Sequence, residues 1–220
     1  MDLLSIKYPK TWDIFFDIEI NKDYFQKNNE KFKKVSEGKI IYPAKEQIYR
    51  IFWELRPKDI KVVILGQDPY YTSGDMADGL SFSVSDTTKI PASLRNIYKE
   101  LLRSGEISEI PESGNLLRWV KQGVFLLNVS LTVFRGEPNS NLFVWQEFSD
   151  NLIKFISETE KDIVFMLWGN YAQKKEYLID KSKHYVLKTS HPSPLSASKG
   201  FLGSDCFKLC NKLLQKKIIW

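Results

Sequence analysis

Residues 62–71 read VVILGQDPYY, in which four apolar residues run directly into a polar turn. A short apolar run that is rich in β-branched residues and bounded by Gly and Pro is typical of a strand buried on both faces. The run predicts a strand over Val62–Leu65. The residues that follow, from Gly66 to Tyr71, predict a loop at the carboxyl end of that strand.

Three further apolar runs have the same character, over Val124–Leu127, Ile163–Trp168 and Tyr185–Leu187. Helical patterns separate the runs, one opening at Ser93 and another repeating from Trp145. Strands that alternate with helices predict a parallel sheet. We therefore expect an α/β fold, three-layer α/β/α, with a central four-stranded parallel twisted sheet.

Local signals predict two details of the helices. Pro43 occupies the position of a first-turn proline ahead of a helix that covers the sheet. Ser140 or Asn141 is suited to cap the helix that contains Trp145. The apolar face of the covering helix consists of Ile48, Ile51, Phe52 and Leu55.

The length and organisation of the chain predict a single domain over residues 1–220, since no repeat, low-complexity tract or long linker divides it. Cys206 and Cys210 lie among apolar residues and predict one helix face in place of a disulfide or metal pair. The segment Met1–Asp17 lacks the pattern of a signal peptide, and no stretch has the length of a membrane span. We expect the cytoplasm in a prokaryote, and the nucleus or an organelle otherwise.

The charge balance and the absent motifs limit the function. Thirty-two Lys and Arg against 27 Asp and Glu give a net charge of +5, which suits a polyanionic partner without identifying it. The sequence has no glycine-rich phosphate loop, no dinucleotide fingerprint and no Cys/His set at zinc spacing. We therefore expect neither a metal nor a cofactor.

Polar residues follow each predicted strand, and three of them carry chemistry: Asp68, Asn128 and His191. In an open parallel sheet, ligands bind beyond the carboxyl ends of the strands, so these three side chains should converge there. Each also has a structural interpretation, as a turn former, a loop stabiliser or a loop stiffener. Tyr70 and Phe82 are equally suited to a core. Taken together, a carboxylate, a neutral imidazole, an amide and aromatic faces suit a hydrolase or a binder for a nucleobase-like ligand.

Four motifs occur in a fixed order: GQDPY at 66–70, GLSFSV at 79–84, LLN at 126–128 and HPSPLS at 191–196. In order and spacing this set resembles the motifs of family-1 uracil-DNA glycosylases, and the resemblance covers nearly the whole chain. It implies an enzyme that flips uracil out of single- or double-stranded DNA and hydrolyses the N-glycosidic bond. The product would be an abasic site, the start of base excision repair.

The resemblance also implies roles for the residues of the crevice. Asp68 would hold the attacking water and stabilise the oxocarbenium-like sugar, and a neutral His191 would donate to uracil O2. The amide of Asn128 would accept from uracil N3–H and donate to O4. Phe82 would stack on the base, and Tyr70 would exclude the thymine methyl group.

The remaining carried-over roles concern support of the base and contact with DNA. Gln67 would support the base through polar contacts, and Leu195 would fill the gap left by the flipped base. The phosphates would be held by serines and a basic residue, at Ser93, Ser193, Ser196 and Lys199. We expect a monomer that acts on uracil-containing DNA, with a proteinaceous inhibitor or a replication factor as further partners.

The chain departs from the family pattern near the site. Tyr71 stands where His is usual, and the segment 72–78 is unlike the usual one and about one residue longer. Ala92 replaces a common proline and Asn170 a common serine, while Asn139 and Asn141 replace histidines, with a loss of ring contacts. Two alternatives remain open: a DNA-binding or replication-accessory protein that has kept the fold, and a glycosylase for another deaminated base.

Overall fold

The computed structural model describes residues 1–73 and 76–220. Two residues of the divergent segment 72–78, at 74 and 75, lie outside this description. The strands are β1 (Ile41–Tyr42), β2 (Val62–Gly66), β3 (Val124–Asn128), β4 (Val133–Phe134), β5 (Val164–Trp168) and β6 (Tyr185–Thr189). The helices are α1 (Asp13–Glu19), α2 (Asp23–Val35), α3 (Arg50–Glu54), α4 (Ala92–Arg103), α5 (Leu117–Val120), α6 (Leu142–Thr159), α7 (Gly169–Gln173) and α8 (Cys206–Leu213).

The central sheet has the strand order β3-β2-β5-β6, and every neighbouring pair is parallel. The register aligns Val62 with Val124 on one side and with Val164 on the other. Strands β2, β3 and β5 are buried along their whole length, as apolar strands covered on both faces should be. The predicted α/β fold with its four-stranded parallel sheet is confirmed, and the four predicted strands agree with the observed ones to within two residues.

The helix that was predicted from Trp145 exists as α6, but its predicted capping is wrong. Asn141 does occupy the N-cap position, yet its side chain makes no capping hydrogen bond. Its amide instead donates to the hydroxyl of Thr132 at 3.1 Å. The hydroxyl of Ser140 accepts from the backbone N–H of Phe134 at 2.9 Å. Both polar side chains therefore bind β4 or the residue that precedes it, because these residues offer partners that compete with the helix end.

The predicted helix that begins at Pro43 is also wrong. Pro43 follows a cis peptide bond after β1 and lies outside any helix, and the segment forms a 3-10 turn over Lys45–Gln47 followed by the short helix α3. The β-branched and aromatic residues of this stretch have modest helix propensity, so packing decides its shape. The predicted apolar face is nevertheless buried, at Ile48, Ile51, Phe52 and Leu55.

Aromatic side chains fill the core on the side of α1, α2 and α6. Phe16 packs edge to face on Tyr49 at 4.9 Å, and Phe25 lies 5.7 Å from Phe148. The indole N–H of Trp12 donates to the carbonyl of Leu55 at 2.9 Å. Helices α1 and α2 and the antiparallel pair of β1 with β4 were not predicted from the sequence.

Helix α8 packs against β5 and β6 at the other end of the sheet. Cys206 and Cys210 are both free and buried on this helix, which confirms their predicted place on an apolar helix face. Burial raises the pKa of the Cys206 thiol to about 12, so that thiol is unreactive at neutral pH. Among the helices that the structure describes, none has both the length and the apolar character needed to span a membrane.

Candidate active site

A cavity of about 450 Å³ opens at the carboxyl ends of β2 and β3. Its wall contains the three residues that the sheet topology was expected to bring together, Asp68, Asn128 and His191. Their predicted convergence in one crevice is confirmed. The other predicted site residues in this wall are Gln67, Tyr70, Phe82 and Ser93.

Asp68 follows β2 and is half-buried beside the cavity. One carboxylate oxygen, Oδ2, accepts from the backbone N–H of Asn139 at 2.9 Å. The other, Oδ1, is buried and has no hydrogen-bond partner among the described residues. Burial raises the pKa of Asp68, and the N–H of Asn139 offsets only part of that effect. The carboxylate thus has one oxygen that no donor of the described residues neutralises, and this oxygen is shielded from solvent in this conformation.

Asn128 ends β3 and lies directly opposite Gly66 of β2. A Cβ atom at position 66 would come within 2.3 Å of Asn128 Oδ1 and 2.8 Å of Ser81 Cβ. Glycine is therefore required at the end of β2, because only its bare backbone leaves room for the amide. The side chain of Asn128 is buried and makes no hydrogen bond to another described residue, so both its donor and its acceptor are available to a ligand in the cavity.

His191 lies on the loop after β6, and its tautomer follows from one contact. The backbone N–H of Ser193 donates to His191 Nδ1 at 3.0 Å, so Nδ1 accepts and the ring proton lies on Nε2. Burial lowers the pKa of His191, which favours the neutral ring. Gly169 has a φ of +82°, and a Cβ there would lie 2.8 Å from His191 Cβ. His191 therefore presents a neutral ring in the cavity wall, with its N–H donor at Nε2.

Phe82 and Tyr70 form the aromatic part of the cavity wall. Phe82 has a φ of +65°, which is uncommon for a bulky residue, and the hydroxyl of Tyr70 donates to its carbonyl at 3.2 Å. The ring of Phe82 lies 5.3 Å from that of Trp168 and 5.9 Å from that of His191. Contacts of the Phe82 carbonyl and ring with neighbouring residues thus stabilise the left-handed backbone at position 82. Such backbone strain is typical of functional sites.

Asp78 anchors the loop that carries Phe82. Its carboxylate accepts from the hydroxyl of Ser83 at 2.7 Å and from the N–H of Leu80 at 3.1 Å. It also pairs with Arg50 at 3.1 Å. Asp78 was not predicted as a site residue, although Asp before Gly is a typical turn signal.

The loop after His191 is tied together by its serines. The hydroxyls of Ser193 and Ser196 lie 2.9 Å apart, and Ser196 also donates to the carbonyl of His191 at 2.8 Å. Leu195 at the tip of this loop is 85% exposed. Lys199 is exposed as well. These four residues lie outside the cavity wall, on the rim next to His191.

Four positions that depart from the family pattern lie in the cavity wall, next to Asp68, or at the start of a helix. Tyr71 is exposed in the wall of the cavity, and Asn170 is exposed at the start of α7. Ala92 begins α4, next to Ser93. Asn139 makes a contact with Asp68 that sequence reasoning missed, since the two residues are 71 positions apart and no local signal joins them.

The arrangement of possible metal ligands bears on whether the site could bind a metal ion. Over residues 1–73 and 76–220, the structure contains no group of three or more His, Cys, Asp or Glu side chains that could hold a metal ion. The expectation of a metal-free site remains a prediction.

The fold and the cavity define an α/β protein with a site for a flat, polar ligand of the size of a nucleobase, bounded by a carboxylate, an amide, a neutral imidazole and an aromatic face. A family model described as the uracil DNA glycosylase superfamily matches residues 52–215. The chain belongs to this superfamily, which confirms the family that the four motifs predicted.

Known proteins resemble the chain over almost its whole length. A uracil-DNA glycosylase from Borreliella burgdorferi is 48% identical over 217 residues, 97% of this chain and 96% of that protein. One from Francisella tularensis subsp. novicida is 47% identical over 209 residues, 94% of each chain. The crystal structure of mimivirus uracil-DNA glycosylase has a TM-score of 0.96 at 31% identity and covers 100% of this chain and 89% of that one. A variant of the mimivirus protein has been solved in complex with UGI.

Proposed function

We propose that this chain excises uracil from DNA by hydrolysing the bond between uracil N1 and the deoxyribose C1′, the first step of base excision repair. The observation that carries the proposal is the single cavity that holds Asp68, Asn128 and His191. A base inside a duplex cannot reach such a cavity, so the uracil nucleotide must leave the stack before it is cut.

As the bond breaks, opposite charges develop on the two fragments, uracil and the sugar. The electron pair of the N1–C1′ bond moves to uracil, and positive charge develops on the sugar. The ionised Asp68 stabilises that charge and accepts a proton from the water whose oxygen bonds to C1′. The Nε2–H of a neutral His191 donates to uracil O2, where negative charge grows.

Selection of uracil rests on Asn128. Its Oδ1 accepts from uracil N3–H and its Nδ2 donates to O4, whereas cytosine presents the opposite polarity at both positions. Each mismatched buried group costs about 1–3 kcal/mol, so two mismatches exclude cytosine strongly. Phe82 stacks on the base, Tyr70 blocks the methyl group of thymine, and Gln67 supports the base by polar contact.

The proposed contacts with DNA lie on the rim of the cavity. Leu195, at the exposed tip of its loop, fills the space that the flipped base leaves in the stack. Hydroxyl groups and one lysine hold the phosphates on either side, which positions the strand without reading its sequence. These residues are Ser93, Ser193, Ser196 and Lys199.

The proposed working form is a monomer in which residues 1–220 form one domain. The curated relatives named above come from bacteria, which supports the bacterial cytoplasm as the compartment. The likeness to a mimivirus protein solved in complex with UGI supports a proteinaceous inhibitor as a further proposed partner. A replication factor is a further proposed partner.

The activity is tested with end-labelled single- and double-stranded oligonucleotides that carry one uracil, in the presence of a chelator. We expect free uracil and alkali-labile abasic sites from both, and none from matched oligonucleotides with thymine or cytosine at that position. Uracil that persists in both substrates, with DNA binding retained, would favour a non-catalytic DNA-binding protein. Excision of a different deaminated base in preference to uracil would favour the second alternative, a glycosylase for that base.

A further inference from the structure

Asn139 connects two residues of the proposed site through one unusual backbone conformation. Its φ is +64°, in the left-handed region that Asn tolerates better than most residues. In this conformation its backbone N–H donates to Asp68 Oδ2 at 2.9 Å. Its side-chain Oδ1 accepts from the side-chain amide of Gln67. One residue thus holds both the carboxylate and the neighbouring amide.

The loop that carries Asn139 is itself anchored at several points. The N–H of Gly136 donates to the carbonyl of Tyr71 at 2.8 Å, which ties the loop to the segment after β2. Ser140 accepts from the N–H of Phe134 at 2.9 Å, and Glu137 pairs with Lys39. The position of Asn139 relative to Asp68 is therefore fixed from both sides of the loop.

We propose that Asn139 is a positioning residue for uracil excision: its left-handed backbone fixes the orientation of the Asp68 carboxylate in the cavity wall, and its amide sets the position of Gln67 against the base. The inference rests on the function proposed above. It assigns a role to a position where the family resemblance predicted only a loss of ring contacts, and it makes no claim that Asn139 touches the substrate.

The backbone role is tested by two substitutions that differ in their tolerance of a positive φ. Asn139→Gly keeps both the left-handed backbone and the N–H, whereas Asn139→Val is strained there because its Cβ is branched. We expect Asn139→Val to lower kcat about tenfold through misplacement of Asp68. We expect it also to move the acid limb of the kcat profile up by about one pH unit through loss of the hydrogen bond. Asn139→Gly should leave the acid limb in place.

Asp162 supplies a matched control for strain. It also has a positive φ, +58°, but is exposed and lies just before β5, at the amino end of the sheet. Asp162→Val should lower thermal stability by a similar amount without moving the acid limb. An acid limb that is the same in wild type, Asn139→Val and Asn139→Gly, with kcat values within about twofold, would overturn the backbone role.

The side-chain role is tested by a double-mutant cycle between Asn139→Gly and Gln67→Ala, measured as inhibition by free uracil. Each single variant should bind uracil more weakly, and the double variant should be no worse than Gln67→Ala alone, since both changes remove the same contact. Strictly additive effects would contradict the coupling. A wild-type protein that releases no uracil would instead refute the proposed function, so the two failures are distinguishable.

Discussion

Asp68 holds a carboxylate in a place where burial opposes its charge. Burial raises its pKa, and the N–H of Asn139 restores only part of the stability of the ionised form. The proposed reaction nevertheless needs the ionised form, because a negative charge stabilises a developing sugar cation. Ionisation of Asp68 is therefore less favourable in the folded than in the unfolded protein, so the ionised carboxylate lowers stability at neutral pH.

Replacement of this carboxylate by its neutral isostere should separate stability from activity. Because the pKa of Asp68 is raised in the folded state, the folded protein binds more protons than the unfolded one between the two pKa values, and stability falls as pH rises through that window. Asp68→Asn removes this loss. We expect its melting temperature at neutral pH to equal or exceed that of wild type, measured by calorimetry, and the difference to shrink as the pH falls towards 4. A clear drop in melting temperature would instead indicate a structural role for the carboxylate.

Asn128 makes a second prediction at the residue scale. Asn128→Asp replaces the donor that faces uracil O4 by an acceptor, which suits the exocyclic amine of cytosine. We expect excision of cytosine from DNA to rise about 5- to 150-fold relative to excision of uracil, in line with about 1–3 kcal/mol for one mismatched group. The ratio is measured on matched oligonucleotides under single-turnover conditions. An unchanged rejection of cytosine would argue against the amide as the reader of the base.

Elements differ in how far local sequence determines them. The strands β2, β3 and β5 were predicted because an apolar β-branched run is a local signal, and a parallel sheet then places the chemistry at one edge. Strand pairing between β1 and β4 escaped prediction, since each strand has only two residues and the partners are distant in sequence. The same holds for Asn139, whose contact with Asp68 exists only in the folded chain. The sequence thus predicted the main residues of the cavity, but not the contacts that orient them.

A buried carboxylate joins α4 to the segment before α8. Glu100 accepts from the N–H groups of Gly203 at 2.7 Å and Asp205 at 2.8 Å, and it pairs with Arg103 at 2.8 Å. Burial alone would raise the pKa of Glu100, but these contacts outweigh burial and bring the pKa below its ordinary value. The ionised Glu100 therefore stabilises the fold above the pKa of the unfolded chain, and this contribution is lost as pH falls through the lower folded value.

Glu100→Gln should consequently destabilise the protein in a manner that depends on pH. We expect a loss of about 2 kcal/mol in the free energy of unfolding at neutral pH, since hydrogen bonds to a charged group are weakened. The loss should diminish at low pH, as the pH falls through the lowered pKa of Glu100 in the folded protein and the wild-type carboxylate also becomes protonated. Urea unfolding at both pH values measures it, with kcat at low temperature as the control for an intact site. A loss that is equal at both pH values would show that the charge is not responsible.

The whole molecule carries a net charge of +5, and its proposed substrate is a polyanion. The net positive charge should attract DNA over a long range, and salt should weaken this attraction. The proposed phosphate contacts of rim residues such as Lys199 would add to it. Base recognition in the cavity is neutral and should be much less sensitive to salt. We therefore expect binding of DNA and selection of uracil to be separable properties of the rim and the cavity.

The affinity for DNA should fall steeply as salt rises, and the slope should report the phosphate contacts. Lys199→Ala is expected to reduce the slope of log affinity against log salt by about one. Lys58→Ala, an equal change of charge on an exposed residue next to the start of β2, serves as the control and should leave the slope unchanged. Fluorescence anisotropy with an uncleavable uracil analogue in the DNA measures both. Equal slopes for the two variants would remove Lys199 from the DNA contact.

The central claim is that one cavity, with Asp68 and His191 on opposite sides of the breaking bond, excises uracil. It is tested most directly by the single-turnover rate of uracil release from a single-uracil oligonucleotide, measured for wild type, Asp68→Asn and His191→Leu at equal concentrations of folded protein. We expect rapid release by wild type and a fall of about 10²-fold or more in each variant, with DNA binding retained. Release by either variant at the wild-type rate, or no release by the folded wild type, would contradict it.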